Sequence, residues 1–372
     1  MEQPPIDLAL NYLPSKPPKT DYGIGCIGAG FIMRECHLVA YANAGYNAVA
    51  ISSRTRESAE AAARAAGVQK VYDTYREVIE DPDVEIVDIA VPPDQQLNVV
   101  RQVCEFGRGK VQGILAQKPL ASNYAEAREL VQLCEDTNIP VSVNHNMRCD
   151  LSVRALKSAL NKGYIGDPVL ATIEMRAIPH FAPWQQAQGW MTLRLMSIHH
   201  LDTFRFWFGN PERIFCSVRK DPRTLEQYDH EDGICLYILE YENGLRCSSW
   251  DDVWSGPVRE GTAADNYIKW RVEGMDGMAW GHIGWPDYPK RRPSTFHLTT
   301  KEHPNTWFHP QWDQVWFPDA FEETMGGLMA AIHDGTEPAI SAKDNLNTMA
   351  LVDAAYKSVD ERRAVALTEI LG

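Results

Sequence analysis

A chain of 372 residues exceeds what one hydrophobic core commonly organises, so its length predicts about two domains and excludes a single small one. Hydrophobic residues at 44% and charged residues at 23% fit a globular protein and exclude a disordered or fibrous class. The 36 Lys and Arg against 50 Asp and Glu give a net charge of -14, which repels a phosphate backbone and argues against nucleic acid as a partner.

No apolar stretch approaches the roughly 20 residues of a membrane span, and Pro4 and Pro5 break any signal-peptide core. A soluble, cytoplasmic protein without a membrane partner is expected. The eight cysteines are scattered without a C-x-x-C pair, so neither a zinc site nor a redox dithiol is expected, and no metal is assigned.

In chain order, residues 1–20 hold five prolines and read as an arm, either loose in solvent or strapped across a cofactor or a neighbouring subunit. From Tyr22 the pattern alternates strand and helix: YGIGCIGAG leads into FIMRECHLVAYANAG, and NAVAISS leads into RESAEAAARAAG. A strand near VQKVY, a helix over TYREVIE, the strand EIVDIAVPP, a helix through Val111 and the strand GILAQ follow. A helix across ASNYAEARELVQLCEDTN and the strand IPVSVN complete the set. Uniformly apolar strands alternating with helices indicate a doubly wound parallel sheet over residues 21–148.

After a linking helix, LSVRALKSALNKG, the segments VLATIEMRA, RIFCSVR, GICLYILEY, LRCSSW and YIKWRVEG are rich in β-branched and aromatic residues, and ENG supplies a hairpin turn. Residues 149–340 are therefore expected to form an α+β domain on a large, open, mostly antiparallel sheet; the helical segments FEETMGGLMAAIHDG and NLNTMALVDAAYKSVDERR are expected to return to the first domain, the last of them over 341–372. All eleven tryptophans, Trp184 to Trp316, lie in this half, which suits both core packing and a surface for stacking sugar rings.

Gly28-Ala29-Gly30-Phe31-Ile32-Met33 follows the first strand and opens a helix. Gly28 permits a tight turn, Gly30 permits backbone approach to a pyrophosphate, and the helix N-terminus offers free N–H groups, the signature of a Rossmann nucleotide site. Met33 stands where the third glycine of that pattern falls. Where an NAD site places a carboxylate to hold the ribose, this chain has Ser52-Ser53-Arg54-Thr55, so Ser53 and Arg54 lean towards NADP without excluding NAD.

Gln117-Lys118-Pro119 closes the fifth predicted strand, placing an amine at the sheet mouth where it can polarise a substrate oxygen. This motif resembles the Glu-Lys-Pro of the glucose-fructose oxidoreductase, inositol dehydrogenase and MocA (Gfo/Idh/MocA) family, in which the lysine lies beside the nicotinamide and the reacting hydroxyl. The resemblance extends to Val91-Pro92-Pro93-Asp94-Gln95-Gln96, similar to the family's loop over the cofactor with Gln96 in place of a frequent histidine. Asn144-His145-Asn146-Met147-Arg148 and Gly163-Tyr164-Ile165-Gly166-Asp167-Pro168 are similar to its strand-end arginine segment and its entry into the second domain. Cofactor contacts implied are Gly28, Gly30, Phe31, Ile32, Ser53, Arg54, Pro92, Gln96, Gln117 and Lys118.

Ser197-Ile198-His199-His200-Leu201-Asp202 resembles the family's G-x-H-x-x-D helix, whose histidine reaches the substrate and corresponds to His199 here. Neighbouring helical residues point about 100° apart, so at most one of His199 and His200 is expected to face the nicotinamide, and the resemblance favours His199. Four residues before His199, where many relatives carry Asp on the same helical face, stands Leu195. Either Lys118 and His199 suffice, or a polar group on the Trp-rich loops replaces the carboxylate. Arg148, Arg176, His180, Trp190, Arg194 and His200 are the candidate substrate contacts.

The resemblance implies an NAD(P)-dependent oxidoreductase acting on a secondary hydroxyl of a sugar, polyol or glycoside, with C3 of a pyranose one position used by relatives. Lys118 would polarise the oxygen and His199 would exchange its proton. Two alternatives stay open: a glycoside hydrolase using transient sugar oxidation by bound NAD, and a non-catalytic dinucleotide-binding sensor. A homo-oligomer, dimer or tetramer, is expected by analogy.

Overall fold

In a computed structural model, which describes residues 8–177, 182–226, 228–254, 256, 265–284 and 291–372, the chain builds two sheets. The first is parallel, with β1 (Gly23–Ile27), β2 (Asn47–Ser52), β3 (Lys70–Tyr72), β4 (Ile86–Ile89), β5 (Gly113–Ala116) and β6 (Val141–Val143) in the order β3-β2-β1-β4-β5-β6. Its crossovers are α1 (Leu38–Ala44), α2 (Arg56–Ala66), α3 (Tyr75–Glu80), α4 (Pro93–Phe106) and α5 (Tyr124–Thr137). Every residue of β1, β4, β5 and β6 is buried, as helices on both faces require. Thr55, Thr74 and Asn123 each accept a backbone N–H at the start of α2, α3 and α5, caps worth about 1 kcal/mol each.

Two helices depart from the expected spans. The first opens with a π-helical turn over Met33–His37, which buries both end residues before α1 begins. The helix expected through Val111 ends at Phe106, because Gly107 and Gly109 follow; Gly109 takes φ +77° and the Val111 N–H closes a turn on the Gly107 carbonyl.

The second half begins with α6 (Leu151–Asn161) and continues through β7 (Pro168–Arg176), α7 (Pro183–Gln188), α8 (Ile198–Phe208), β8 (Arg213–Arg219), β9 (Ile234–Glu240) and β10 (Arg246–Asp252). There follow β11 (Tyr267–Gly274), β12 (Gly277–Ile283), β13 (Thr295–Thr300), β14 (His303–Phe308), α9 (Trp316–Asp334), α10 (Ala342–Glu361), β15 (Val365–Ala366) and α11 (Thr368–Leu371). The nine strands run β14-β13-β12-β11-β7-β10-β9-β8-β15, antiparallel throughout except for the parallel pair of β7 and β10. One face packs on helices; the other leaves Leu170, Phe215, Leu236 and Ile238 exposed, with Phe215 directly opposite Ile238. Trp207 and Trp270 meet edge to face in the core, so part of the tryptophan count is packing, while Trp307 is exposed.

Of the two C-terminal helical segments expected to return to the first domain, the earlier packs directly on the first sheet. Helix α9, inside the expected second domain, places Phe321, Met325, Leu328 and Met329 in one cluster with Ile24, Ile51 and Leu115. Helix α10 instead lies against α5, α8 and β8, and β15 pairs with β8, so the C-terminal segment joins both halves. The described part of the arm straps its own chain: Leu8 is buried, the Asn11 N–H reaches Ser158 at 2.8 Å on α6, and the Ser15 N–H reaches Glu323 at 3.1 Å on α9.

Candidate active site

The glycine turn has the shape a nucleotide phosphate needs. Gly28 takes φ +100°, and a Cβ there would stand 2.3 Å from the Ala90 carbonyl, so only glycine permits the close approach of β1 to β4. A Cβ on Gly30 would meet nothing within 4 Å, leaving its backbone open at the helix start. Phe31 is exposed and Ile32 half-buried beside it. At the end of β2, Ser53 is half-buried, and Arg54 is exposed and makes no ion pair among the described residues.

Beneath the Lys118 turn lies a buried amide network. Pro92 is half-buried and caps α4; one turn on, Gln96 is fully buried, where a cofactor contact was expected. Its Nε2 donates to the Gln117 and Pro119 carbonyls at 2.9 and 2.5 Å, and its Oε1 accepts the Gln117 N–H at 2.9 Å. The Gln117 and Asn144 amides converge on His37 Nε2 at 3.0 and 2.9 Å, and His37 Nδ1 meets Asp88 at 2.7 Å. With Nε2 accepting, the proton sits on Nδ1 and points to Asp88. A glutamate at 117 could only accept, so this geometry uses the amide donor that glutamine supplies.

Lys118 Nζ donates to the main-chain carbonyl of Leu195 at 2.5 Å. Leu195 lies in a π-helical turn, Thr192–Ser197, that runs directly into α8, and His199 follows in the first turn of α8. His199 is buried, its Nδ1 has no hydrogen-bond partner among the described residues, and its ring stands edge-on to His145 and Trp316 with centroids 6.1 and 6.0 Å away. Burial pushes the Lys118 ammonium down to about 7. Burial, and then the neighbouring Lys118, His145 and His200, hold His199 well below the usual imidazole range, so it is neutral near pH 7.

The two adjacent histidines have separate partners. His200 Nδ1 lies 3.0 Å from Asp251, which also accepts the Ser197 hydroxyl, so His200 ties α8 to β10. Among the described residues, no group of three His, Cys, Asp or Glu could hold a metal ion.

Residues 22–145 match the oxidoreductase family with an NAD-binding Rossmann fold, and residues 157–367 match that family's C-terminal alpha/beta domain. The chain belongs to the Gfo/Idh/MocA oxidoreductase family. Among its Gfo/Idh/MocA relatives, D-apiose dehydrogenase from Paraburkholderia graminis is 26% identical over 348 residues, covering 92% of this chain and 89% of its own. Inositol 2-dehydrogenase from Rhizobium meliloti is 25% identical, over 92% of this chain and 98% of its own. The crystal structure of an Agrobacterium radiobacter oxidoreductase in complex with NAD+, L-tartaric acid and magnesium shares the fold, with a TM-score of 0.78 at 22% identity over 94% of this chain and 99% of its own.

Within this Gfo/Idh/MocA site, the other expected substrate contacts are engaged elsewhere. Arg148 is buried; its Nε and Nη2 grip Asp202 at 2.6 and 2.7 Å, and Nη2 also reaches Asp344 at 2.9 Å, so it serves as a strut between α8 and α10. Arg176 pairs with Asp265 at 2.8 Å, whereas the Arg194 guanidinium lies over the Tyr356 ring of α10 at 4.7 Å and Trp190 meets that ring edge-on with centroids 4.5 Å apart. His180 lies outside the described residues. Sequence reasoning singled out neither Trp316, counted only within the tryptophan-rich half, nor His37, Asp88 and Asp251. The first lies more than a hundred residues from His199 in the chain, and none of the four stands in a local motif that points to this site.

Proposed function

We propose that the protein is an NAD(P)-dependent dehydrogenase or reductase that interconverts a secondary hydroxyl and a ketone on a sugar, polyol or glycoside, with C3 of a pyranose as a first position to test. The observation that carries this reading is the Lys118 amine held on the Leu195 carbonyl in the turn that runs into the His199 helix, at the carboxyl edge of the parallel sheet. The names of the apiose and inositol relatives support the substrate class.

The open space above Gly30 and the close β1–β4 approach at Gly28 fit a dinucleotide pyrophosphate, which these backbone N–H groups would hold. When bound, the nicotinamide supplies the hydride acceptor or donor. Ser53 and Arg54, which makes no ion pair among the described residues, favour a ribose 2′-phosphate, hence NADP over NAD. Charged, Lys118 polarises the substrate oxygen while keeping one N–H on Leu195. His199, neutral and with its Nδ1 unpartnered among the described residues, takes the hydroxyl proton in oxidation, and the imidazolium so formed gives it back in the reverse step. Trp316, edge-on to the imidazole, is an apolar wall that limits water at the reacting carbon. Exposed Leu170, Phe215, Leu236 and Ile238 on the uncovered sheet face support a homo-oligomer paired through that face.

The test is a binding titration with NAD and NADP, followed by a screen of sugars, polyols and glycosides for reduction of the preferred nucleotide. At least one hydroxyl substrate is expected, with Lys118→Ala and His199→Ala each lowering kcat by about 10²–10⁴ while nucleotide still binds. Tight nucleotide binding without turnover would mean a sensor. Glycoside cleavage without accumulation of reduced nucleotide would mean the transient-oxidation hydrolase.

A further inference from the structure

The π-helical turn that presents the Leu195 carbonyl is gripped at its start by a single buried carboxylate. Asp232, in the segment just before β9, is fully buried. Its Oδ1 accepts the N–H groups of Met191 and Thr192 at 2.7 and 3.1 Å, and its Oδ2 accepts that of Leu193 at 2.7 Å. Beside it, the Glu231 N–H bonds to the Gly189 carbonyl at 2.7 Å, so the same segment also fixes the chain entering the turn.

A buried carboxylate without a paired cation is expensive, because desolvation disfavours its charge. No ion pair involves Asp232 among the described residues, and burial pushes its carboxyl up against the opposing pull of the three N–H groups. A neutral cap would avoid that cost. What the acid adds is geometry: two oxygens gathering three consecutive N–H groups leave the turn no freedom to rotate. Leu195 follows two residues later, with its own N–H on the Met191 carbonyl at 3.1 Å.

Resting on the oxidoreductase reading above, we propose that Asp232 is a positioning residue for hydride transfer, fixing the direction in which the Leu195 carbonyl meets Lys118 and thereby the spacing between Lys118 and His199. It touches neither substrate nor cofactor. Its removal lets the turn swing and admits water to the amine.

The test compares Asp232→Ala and Asp232→Asn with the wild type by nucleotide binding, steady-state kinetics and competitive acetylation of Lys118 followed by mass spectrometry across pH. The labelling needs no substrate. Asp232→Ala is expected to bind nucleotide normally, keep its KM, lose at least about tenfold in kcat from misplacement of the pair, and shift the Lys118 labelling midpoint upward towards an ordinary lysine. Asp232→Asn, whose amide oxygen still accepts two of the three N–H groups, recovers part of both effects; if the alanine variant does not fold, this graded loss alone decides. An unchanged labelling midpoint, or a lowered melting temperature with kcat intact, overturns the proposal. Absence of turnover in the wild type with the midpoint shift still present would instead count against the oxidoreductase reading and leave the Asp232 clamp standing.

Discussion

Lys118 Nζ and the Leu195 carbonyl oxygen lie 2.5 Å apart, so an apolar residue at the position where the family resemblance implies an acidic side chain supplies the lysine with an acceptor through its main chain. The substitute is neutral, and the amine is therefore held by a dipole rather than by a charge. Because the contact uses the backbone, Leu195→Ala is expected to keep kcat within several-fold of the wild type. Its cost falls on packing: Leu195 is buried with Met191 and Val253, and truncation should lower stability by about 2–4 kcal/mol. Urea unfolding beside kinetics checks this, and a loss of kcat comparable to that of Lys118→Ala would contradict it.

The lowered ammonium sets a pH limb. Below about 7 Lys118 is charged and can polarise a ketone oxygen; above that value it is neutral and the assistance fades. The kcat/KM for ketone reduction should therefore fall as pH rises through about 7. His199 adds no inflection near neutrality, because its imidazole titrates well below its usual range; the inflection from its protonated form, the donor in reduction, lies at lower pH. A pH series on wild type and Lys118→Ala checks the assignment: the limb disappears from the residual rate of the variant.

Arg148→Ala should unfold the protein rather than weaken substrate binding. It strips the bidentate partner from buried Asp202, whose carboxyl is held low by Arg148, His145 and Arg205 against the opposing effect of burial. Leaving that buried charge with Arg205 at 3.8 Å and the Thr348 hydroxyl at 2.8 Å still beside it costs up to about 3–5 kcal/mol. Chemical denaturation reads the loss, and a raised substrate KM with unchanged stability would return Arg148 to the substrate site.

Arg54→Ala should separate the two nucleotides. If the exposed guanidinium pairs with a 2′-phosphate, NADP affinity falls by about 1.5–3 kcal/mol while NAD affinity stays level. Calorimetric titration of both nucleotides decides it; equal affinities before and after the change would remove Arg54 from the site.

The architecture was legible wherever the signal was local. Alternating apolar strands and helices, the Gly28-Ala29-Gly30 turn and the strand-end Lys118 each declare themselves within a dozen residues, and the two sheets follow. Helix ends were less so: the span through Val111 failed because two glycines outweighed an apolar pattern. The partners of charged residues near the junction were illegible for a related reason. Arg148, Arg176 and Arg194 carry no mark in the sequence of whether their guanidinium faces a crevice or a carboxylate on another element.

From its sequence alone, this protein was determined to have a nucleotide-type parallel sheet followed by an open antiparallel one, with an amine and an imidazole at motif positions. Only tertiary packing decided what those groups meet: Lys118 with a carbonyl 77 residues away, His200 with Asp251 51 residues away, and Arg148 with Asp202 54 residues away. The physical reason is that backbone periodicity and turn geometry are written in neighbouring residues, whereas a hydrogen bond between distant elements exists only after burial has removed water as the competing partner.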